Sequence, residues 1–294
     1  MASLKEVRSR ISSVKSTQQI TSAMKMVSAS KLRRAQESIV KMRPYAAKMS
    51  EILDNLVSGV AIPEDYPYTR NSPVQNVLII ASTGNKGLCG SFNTNIFKRV
   101  VRLLNEDFAE QHQAGRVEIF CLGKKGWDFF RKRGFPIAGS EIDLVQLPRF
   151  QASIKVSSTI MEDFANKKFD RVVYVYNKFK NAASQIVVAE QFLPVEVTES
   201  TEQKTVATTD YIFVPGKEEI IAELIPKTLR VQFYKNLLES VASEHGARMT
   251  AMHKATDNAG ELLKGLRLSY NKARQAQITN EILEIVGGAE ALKG

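Results

Sequence analysis

Apolar residues recur over the first sixty positions at alternating steps of three and four. Leu4, Val7, Ile11 and Val14 form one run, and Leu32, Ala35, Ile39, Met42, Ala46, Met49, Leu53, Leu56 and Val60 continue it in the same register. This is the seam of a helix lying along a partner helix, and its 3.5-residue period implies a left-handed supercoil. Between the runs the seam positions are Gln18, Thr21, Lys25 and Ser28, all polar, while an apolar stripe at Ile20, Met24 and Val27 is displaced from the seam. Residues 2–58 hold no glycine and one proline, Pro44. One nearly continuous helix of about 85 Å is therefore expected at ~1.5 Å per residue. Pro44 predicts a kink or local break, since an internal proline costs about 3 kcal/mol and a backbone hydrogen bond.

A second long helical pattern runs from Lys227 to Val286, with no proline after Pro226. Its expected seam is Met252, Ala255, Ala259, Leu262, Leu266, Ser269, Ala273 and Ala276, and the small residues permit close approach of another helix. Such segments need a packing partner, because isolated helices are marginal in water.

The middle of the chain changes period. "VQNVLIIAS", "RVEIFCLG", "DRVVYVYNK" and "SQIVVAEQFLPV" read as strands, separated by helical patterns in "IFKRVVRLLNEDFAEQ", "KKGWDFFRKRG" and "SIKVSSTIMEDFANKK". Alternation of this kind predicts a small, largely parallel sheet with helices on its faces. "AIPEDYPYTRNSP" reads as a linker, and 198–210 as an exposed hairpin loop before a short strand "YIFVP". The expected fold is α/β plus a long antiparallel α-helical coiled coil formed by the N- and C-terminal helices, with a central Rossmann-like α/β domain inserted between them. The boundaries are 1–60 for the first helix, 61–73 for the linker, 74–216 for the α/β domain and 217–294 for the C-terminal helix.

Composition narrows the function. With 44% hydrophobic and 24% charged residues in 294, the chain is of ordinary globular type. The run "VLIIA" is far short of the roughly 18 residues of a membrane span. Cys89 and Cys121 lack metal or C-x-x-C spacing and read as buried thiols. The first twenty residues have the Arg- and Ser-rich, acid-poor character of a transit peptide, yet their seam is in register with 32–60, so they read as mature structure. The formal charge is +10, and residues 1–60 hold eleven Lys and Arg against four acids. That surplus implies either a solvated face or an acidic partner surface.

Candidate chemistry is sparse. "GNKGLCGS" lies between a strand and a helix, but its glycines at 84, 87 and 90 match neither G-x-x-x-x-G-K-[ST] nor G-x-G-x-x-G. A structural turn or a partner-contact loop is the better reading. His112, His245 and His253 are scattered, and no nucleophile triad or metal set can be assembled from local motifs, so no catalytic residue, cofactor or metal is expected. In "ITNEILEIVGGAEALKG", Ile278, Ile282, Leu283, Ile285 and Val286 spread round much of a helix, which implies enclosure by more than one neighbour.

"ITNEILEIVGGAEA", preceded by "YNKARQAQ" and "RMTAMHKATDNA", resembles the C-terminal signature of the γ subunit family of F-type ATP synthases. The N-terminal "ITSAMKMVSASKLRRAQ" and the turn "KGLCGSFN" resemble the same family, in the same order, over essentially the whole chain. The sequence departs from the family's common residues at Asn85, where Asp is usual, at Gly246, where Ala is usual, and at Ser91. The extra segment with a redox-active cysteine pair found in photosynthetic relatives is missing.

The resemblance implies a non-catalytic rotor shaft standing in a ring of three α and three β subunits, with the α/β domain bound to the ε subunit and the membrane c-ring. Proton flow would turn the shaft and drive ATP synthesis from ADP and phosphate at the β sites. It implies peripheral association with a membrane, at the cytoplasmic face in a bacterium or the matrix side of a mitochondrial inner membrane. Carried over by position, the contacts with the αβ hexamer are Met24, Lys25, Lys31, Arg33, Arg34, Lys86, Arg274, Gln275, Thr279 and Glu281. Two other classes compete on residues alone. A basic coiled-coil arm gripping nucleic acid would concentrate its charge along one stripe, whereas these charges spread from Lys5 to Lys48. A nucleotide enzyme would need the glycine-rich turn to cradle phosphate.

Overall fold

A computed structural model describes residues 4–57, 66–70, 72–195 and 216–291. The chain divides into two compact units, one of residues 1–28 with 248–294 and one of 29–247. The expected loop at 198–210, the strand "YIFVP" and most of the linker lie outside the described residues.

Both long helices form. Helix α1 spans Leu4–Val57 and the C-terminal helix α7 spans Lys217–Ala291. Neither internal proline interrupts its helix: Pro44 sits inside α1 without the expected break, and Pro226 lies inside α7, whose start is ten residues before the Lys227 read from the pattern. Packing explains the second case. Ile221, Ile225 and Leu229 flank Pro226 and are at most 4% exposed. Full burial of each contributes roughly 1.5–3 kcal/mol, enough together to exceed the proline penalty.

The unit of residues 29–247 is built on a five-stranded sheet. Its strands are β1 (Val77–Ser82), β2 (Val117–Leu122), β3 (Ile137–Glu141), β4 (Arg171–Phe179) and β5 (Gln185–Leu193), in the order β3-β2-β1-β4-β5. β1 pairs in parallel with β2 and β4, β2 with β3, and only β5 runs antiparallel, against β4. The crossovers are α2 (Phe92–Asn105), α3 (Ala109–Gln113), α4 (Lys124–Lys132), α5 (Asp143–Gln146) and α6 (Phe150–Ala165).

β1 is buried at all six positions, as a central strand covered on both faces must be. Its residues Val77, Ile79 and Ala81 join Ile96, Val100 and Leu103 of α2 and Phe130 of α4 in one apolar layer. The opposite face meets α7. Tyr174 and Phe192 pack edge-on against Phe233 at 5.3 and 5.9 Å between ring centroids, and Ser82 Oγ donates to Ser240 Oγ at 2.9 Å.

β3 and α5 are the elements the pattern did not reveal. β3 is a short edge strand containing Gly139, where a Cβ would stand 2.8 Å from the Phe120 ring. Close backbone approach selected glycine there and erased the β-branched signal that marks a strand.

In the unit of 1–28 with 248–294, α1 and α7 run antiparallel. Thr256 Oγ1 donates to Thr21 Oγ1 at 2.9 Å, and Gly260 lies against the amide of Gln18. The polar seam positions therefore keep the register: Thr21 and Ser28 are buried, and Gln18 and Lys25 are half-buried. The α7 seam differs from expectation by half a heptad. Met252, Thr256, Ala259, Leu263, Leu266, Tyr270 and Ala273 face inward, while Leu262 is 53% exposed and Ser269 and Ala276 are exposed. Both phases share Met252, Ala259, Leu266 and Ala273, and the expected Ala255 is half-buried beside Thr256, so the departure begins at Leu262. The pattern favoured Leu262 over Leu263 with nothing local to separate two adjacent leucines.

Candidate functional site

The ten residues expected to meet partners fall in both units, and the structure places each on or near the surface. In the first unit, Met24 and Lys25 are half-buried on α1, beside Ile20 and Val27, which are 60% and 57% exposed. The displaced stripe is thus an apolar strip facing outward. Lys25 occupies a seam position at the level of Met252 by the antiparallel register. A lysine can do so because its four-carbon stem packs while the ammonium reaches water. Met26, 63% exposed, extends this apolar surface and was missed by the sequence reading. Its only signal was a large apolar side chain off the seam.

Within the same unit, α7 runs on past the level of the described residues of α1. By the register of Thr21 and Thr256, Ala273 lies level with Leu4, the first described residue of α1. Ala273 is half-buried, and every residue from Arg274 to Ala289 is exposed. Arg274, Gln275, Thr279 and Glu281 all sit on this single helical stretch. Some of its polar groups are satisfied locally: Thr279 Oγ1 donates to the Gln275 carbonyl at 2.9 Å, and Gln277 Nε2 to Glu281 Oε1 at 2.9 Å. The apolar groups are not. Ile278, Ile282, Leu283, Ile285 and Val286 are 48–71% exposed on successive faces. At about 25 cal/mol per Å², enclosing five half-exposed side chains would contribute on the order of 5 kcal/mol. An uncovered patch of this kind marks a surface made for another protein.

In the unit of 29–247, Lys31, Arg33 and Arg34 project from α1 into solvent. Arg33 Nε meets Glu37 Oε1 at 3.1 Å, but the Arg33 side chain is 83% exposed, so this i,i+4 pair is worth only about 0–1 kcal/mol and leaves the guanidinium available. The Arg34 carbonyl accepts from Ser38 Oγ, which leaves its side chain uninvolved in that bond. Lys86 is exposed on the loop between β1 and α2.

That loop is fastened from within. The Thr83 hydroxyl accepts from Gly126 N at 2.9 Å and donates to the Leu122 carbonyl at 3.0 Å, while Gly84 N donates to Asn93 Oδ1. Asn85 uses both ends of its amide: Nδ2 donates to the Ile142 carbonyl at 2.8 Å and Oδ1 accepts from Lys124 N at 2.9 Å. An aspartate could not make the first bond, which gives a physical reason for the departure at this position.

The crevice at the end of β1, where a dinucleotide phosphate sits in doubly wound sheets, is closed by α7. A Cβ on Gly84 would stand 2.7 Å from the Glu244 carboxyl carbon, so a nearly buried acid occupies the place an anion would need. Among the described residues no three His, Cys, Asp or Glu side chains gather in a metal-binding group.

Comparison with known proteins bears on what this surface serves. The family model described as ATP synthase matches residues 3–292. The chain is 53% identical to the ATP synthase gamma chain of Cytophaga hutchinsonii over 99% of both chains. It is 51% identical to that of Flavobacterium psychrophilum over the full length of each. Among solved structures, a chain of the Tetrahymena thermophila mitochondrial ATP synthase central stalk and c-ring matches with a TM-score of 0.59 at 28% identity, covering 80% of this chain and 99% of that one. A chain of the Euglena gracilis mitochondrial ATP synthase shares the fold with a TM-score of 0.69 at 22% identity, covering 98% and 94%.

Proposed function

We infer the function from one premise: this chain belongs to the ATP synthase gamma chain family. It is the central rotor shaft of the F-type complex, which couples proton-driven rotation of the membrane c-ring to conformational cycling of the catalytic β subunits. The observation that carries the reading at the level of geometry is the exposed apolar end of α7. Five large apolar side chains exposed on several faces of one helix fit a sleeve formed by surrounding subunits.

The chain acts without catalysing. An asymmetric shaft shifts a β site only to the extent that it binds the site's conformations with different free energies. Swinging one site from 1:99 to 99:1 takes about 5.5 kcal/mol, whereas one exposed ion pair supplies about 0–1. Several contacts must share the task. Met24 and Lys25 beside Ile20 and Val27 form one group in the first unit, and Lys31, Arg33 and Arg34 another in the second, each for acidic and apolar lever surfaces of β. Arg274, Gln275, Thr279 and Glu281 form the upper group, and Lys86 a further contact from its loop. The α/β domain of residues 74–216 is the part that meets ε and the c-ring.

No described helix is long and apolar enough to cross a membrane, and the chain is a peripheral subunit of a membrane complex. The cytoplasmic face of a bacterial plasma membrane is the location we assign. The test is co-expression of an affinity-tagged chain with α, β and ε subunits. Recovery of a complex with three copies each of α and β per tagged chain supports the shaft, and recovery of the chain alone or with nucleic acid refutes it.

A further inference from the structure

Between Asn236 and Glu244, α7 is buried on every side, yet the stripe it turns to the sheet is polar. Asn236, Glu239, Ser240 and Ser243 stand at i, i+3, i+4 and i+7 and are at most 2% exposed. Each bonds a strand. Asn236 Nδ2 donates to Glu190 Oε2 of β5 at 3.2 Å, Ser82 Oγ of β1 donates to Ser240 Oγ at 2.9 Å, and Ser243 Oγ donates to the Asn177 carbonyl of β4 at 2.8 Å. Glu239 does more. Its Oε2 accepts from Phe179 N of β4 at 3.0 Å, and both its oxygens accept from Arg43 of α1, at 2.8 and 3.1 Å, while Arg43 Nη2 also donates to the Phe179 carbonyl.

We propose that this polar stripe is the torque coupling of the shaft, with Glu239 the positioning residue that makes α1 and α7 turn together with the sheet. The proposal rests on the rotor reading above. Apolar packing is non-directional, and packed helices can shift by a ridge or a turn into another arrangement of similar energy. Hydrogen bonds have direction, and buried ones leave unpaired groups when broken. A one-residue slip moves a helix about 1.5 Å along and 100° around its axis, which would break all four attachments at once. A single carboxylate that holds α1, β4 and α7 stops either helix from slipping alone. The stripe is not arranged for greatest stability, since Asn236 Oδ1 and Asn177 Oδ1 have no partner among the described residues. Directional fastening accounts for its polarity where apolar side chains would pack.

The test measures twist in the assembled complex of this chain with three α and three β subunits. The hexamer is immobilised, a bead is attached to a cysteine introduced by Lys132→Cys on α4, and the angular variance of the paused rotor is recorded. Glu239→Leu is expected to raise that variance at least twofold and, in the full membrane complex, to lower protons pumped per ATP hydrolysed while hydrolysis persists. Should Glu239→Leu not assemble, Ser240→Ala with Ser243→Ala decides by the same reading, with a smaller expected rise. Unchanged variance in an assembled variant, including one with reduced yield or lower thermal stability, overturns the proposal and leaves the rotor assignment standing. Failure of the wild-type chain to assemble at all would instead overturn the rotor assignment.

Discussion

Thr21 and Thr256 meet hydroxyl to hydroxyl at 2.9 Å across the antiparallel helix pair, and Thr21 passes the bond on to the Gln18 carbonyl at 3.0 Å. This pair ties the two helices together in the middle of the polar stretch of the seam, where Thr21 is buried with its hydroxyl bonded on both sides. Removing one member costs the other its bond across the pair, about 0.5–1 kcal/mol because each hydroxyl keeps a carbonyl of its own helix, Gln18 for Thr21 and Met252 at 2.8 Å for Thr256, whereas replacing both by a shape-matched apolar residue is close to neutral. Thr21→Val alone should therefore lower the thermal midpoint by a few degrees, and Thr21→Val with Thr256→Val should restore most of it. Differential scanning calorimetry on the four variants of this cycle checks the sign.

Asn85 supplies a second case in which the chemistry of one atom matters. Asn85→Asp replaces the donor facing the Ile142 carbonyl by an acceptor 2.8 Å away. The loss should cost about 1–3 kcal/mol, offset by up to about 1 kcal/mol from a negative charge beside the first turn of α4. Urea unfolding should show a net loss, and a more stable variant would contradict the assigned amide orientation.

Gly246 lies where α7 crosses the turn between β4 and β5. A Cβ there would meet Ala182 Cα and its carbonyl oxygen at 3.3 Å, and that turn is braced by Asn181 Oδ1, which accepts from both Ala183 N and Ser184 N. Alanine gains about 1 kcal/mol in helix propensity but must push a stiff turn by a few tenths of an ångström. Gly246→Ala should be slightly destabilising, and Gly246→Leu destabilising by about 1–3 kcal/mol. Thermal unfolding of both variants tests this, and a clear gain for alanine would show the turn to be compliant.

Much of this was legible beforehand. The α1 seam follows from its period and four of the five strands from alternation or short apolar runs, while the C-terminal apolar residues stand out because they spread round the helix, which no single face can bury. The phase of the α7 seam was not legible, since Leu262 and Leu263 are equally apolar and only the partner's position separates them. β3 escaped because it is short and carries Gly139 for contact with Phe120. The buried polar stripe of Asn236, Glu239, Ser240 and Ser243 also escaped, since such residues on a helix ordinarily signal a solvated face. The contact role of Arg33 and its neighbours came from family resemblance alone: exposure is a necessary condition and names no partner.

Distributed contact predicts a mild phenotype for any one of those cations. Arg33→Ala should slow coupled turnover of the assembled complex by less than about threefold, in keeping with an exposed pair worth about 0–1 kcal/mol. Near-abolition of turnover in a complex that still assembles would show that one contact dominates.

Burial in the sheet pushes the Cys121 thiol from the ordinary 9.0 up to about 12. Below pH 9 both folded and unfolded chains hold the proton, and the contribution to stability is fully present. Between pH 9 and 12 the unfolded chain loses its proton first, so stability falls as pH rises. Burial raises the Tyr174 and Tyr176 phenols in the same direction. Urea midpoints should decline above pH 9, and Cys121→Val should delay the onset toward the tyrosine range. At pH 8 neither Cys121 nor the buried Cys89 should react with a maleimide until the chain is unfolded.

With both native thiols shielded, one surface cysteine can carry a probe selectively, which opens the most direct test of the shaft. A bead is fixed to Lys132→Cys on α4 of the chain assembled with an immobilised ring of three α and three β subunits, and ATP is supplied. Rotation in one direction, in three main steps per turn, is the expected result. A bead that stays still while the same complex hydrolyses ATP would contradict the assignment.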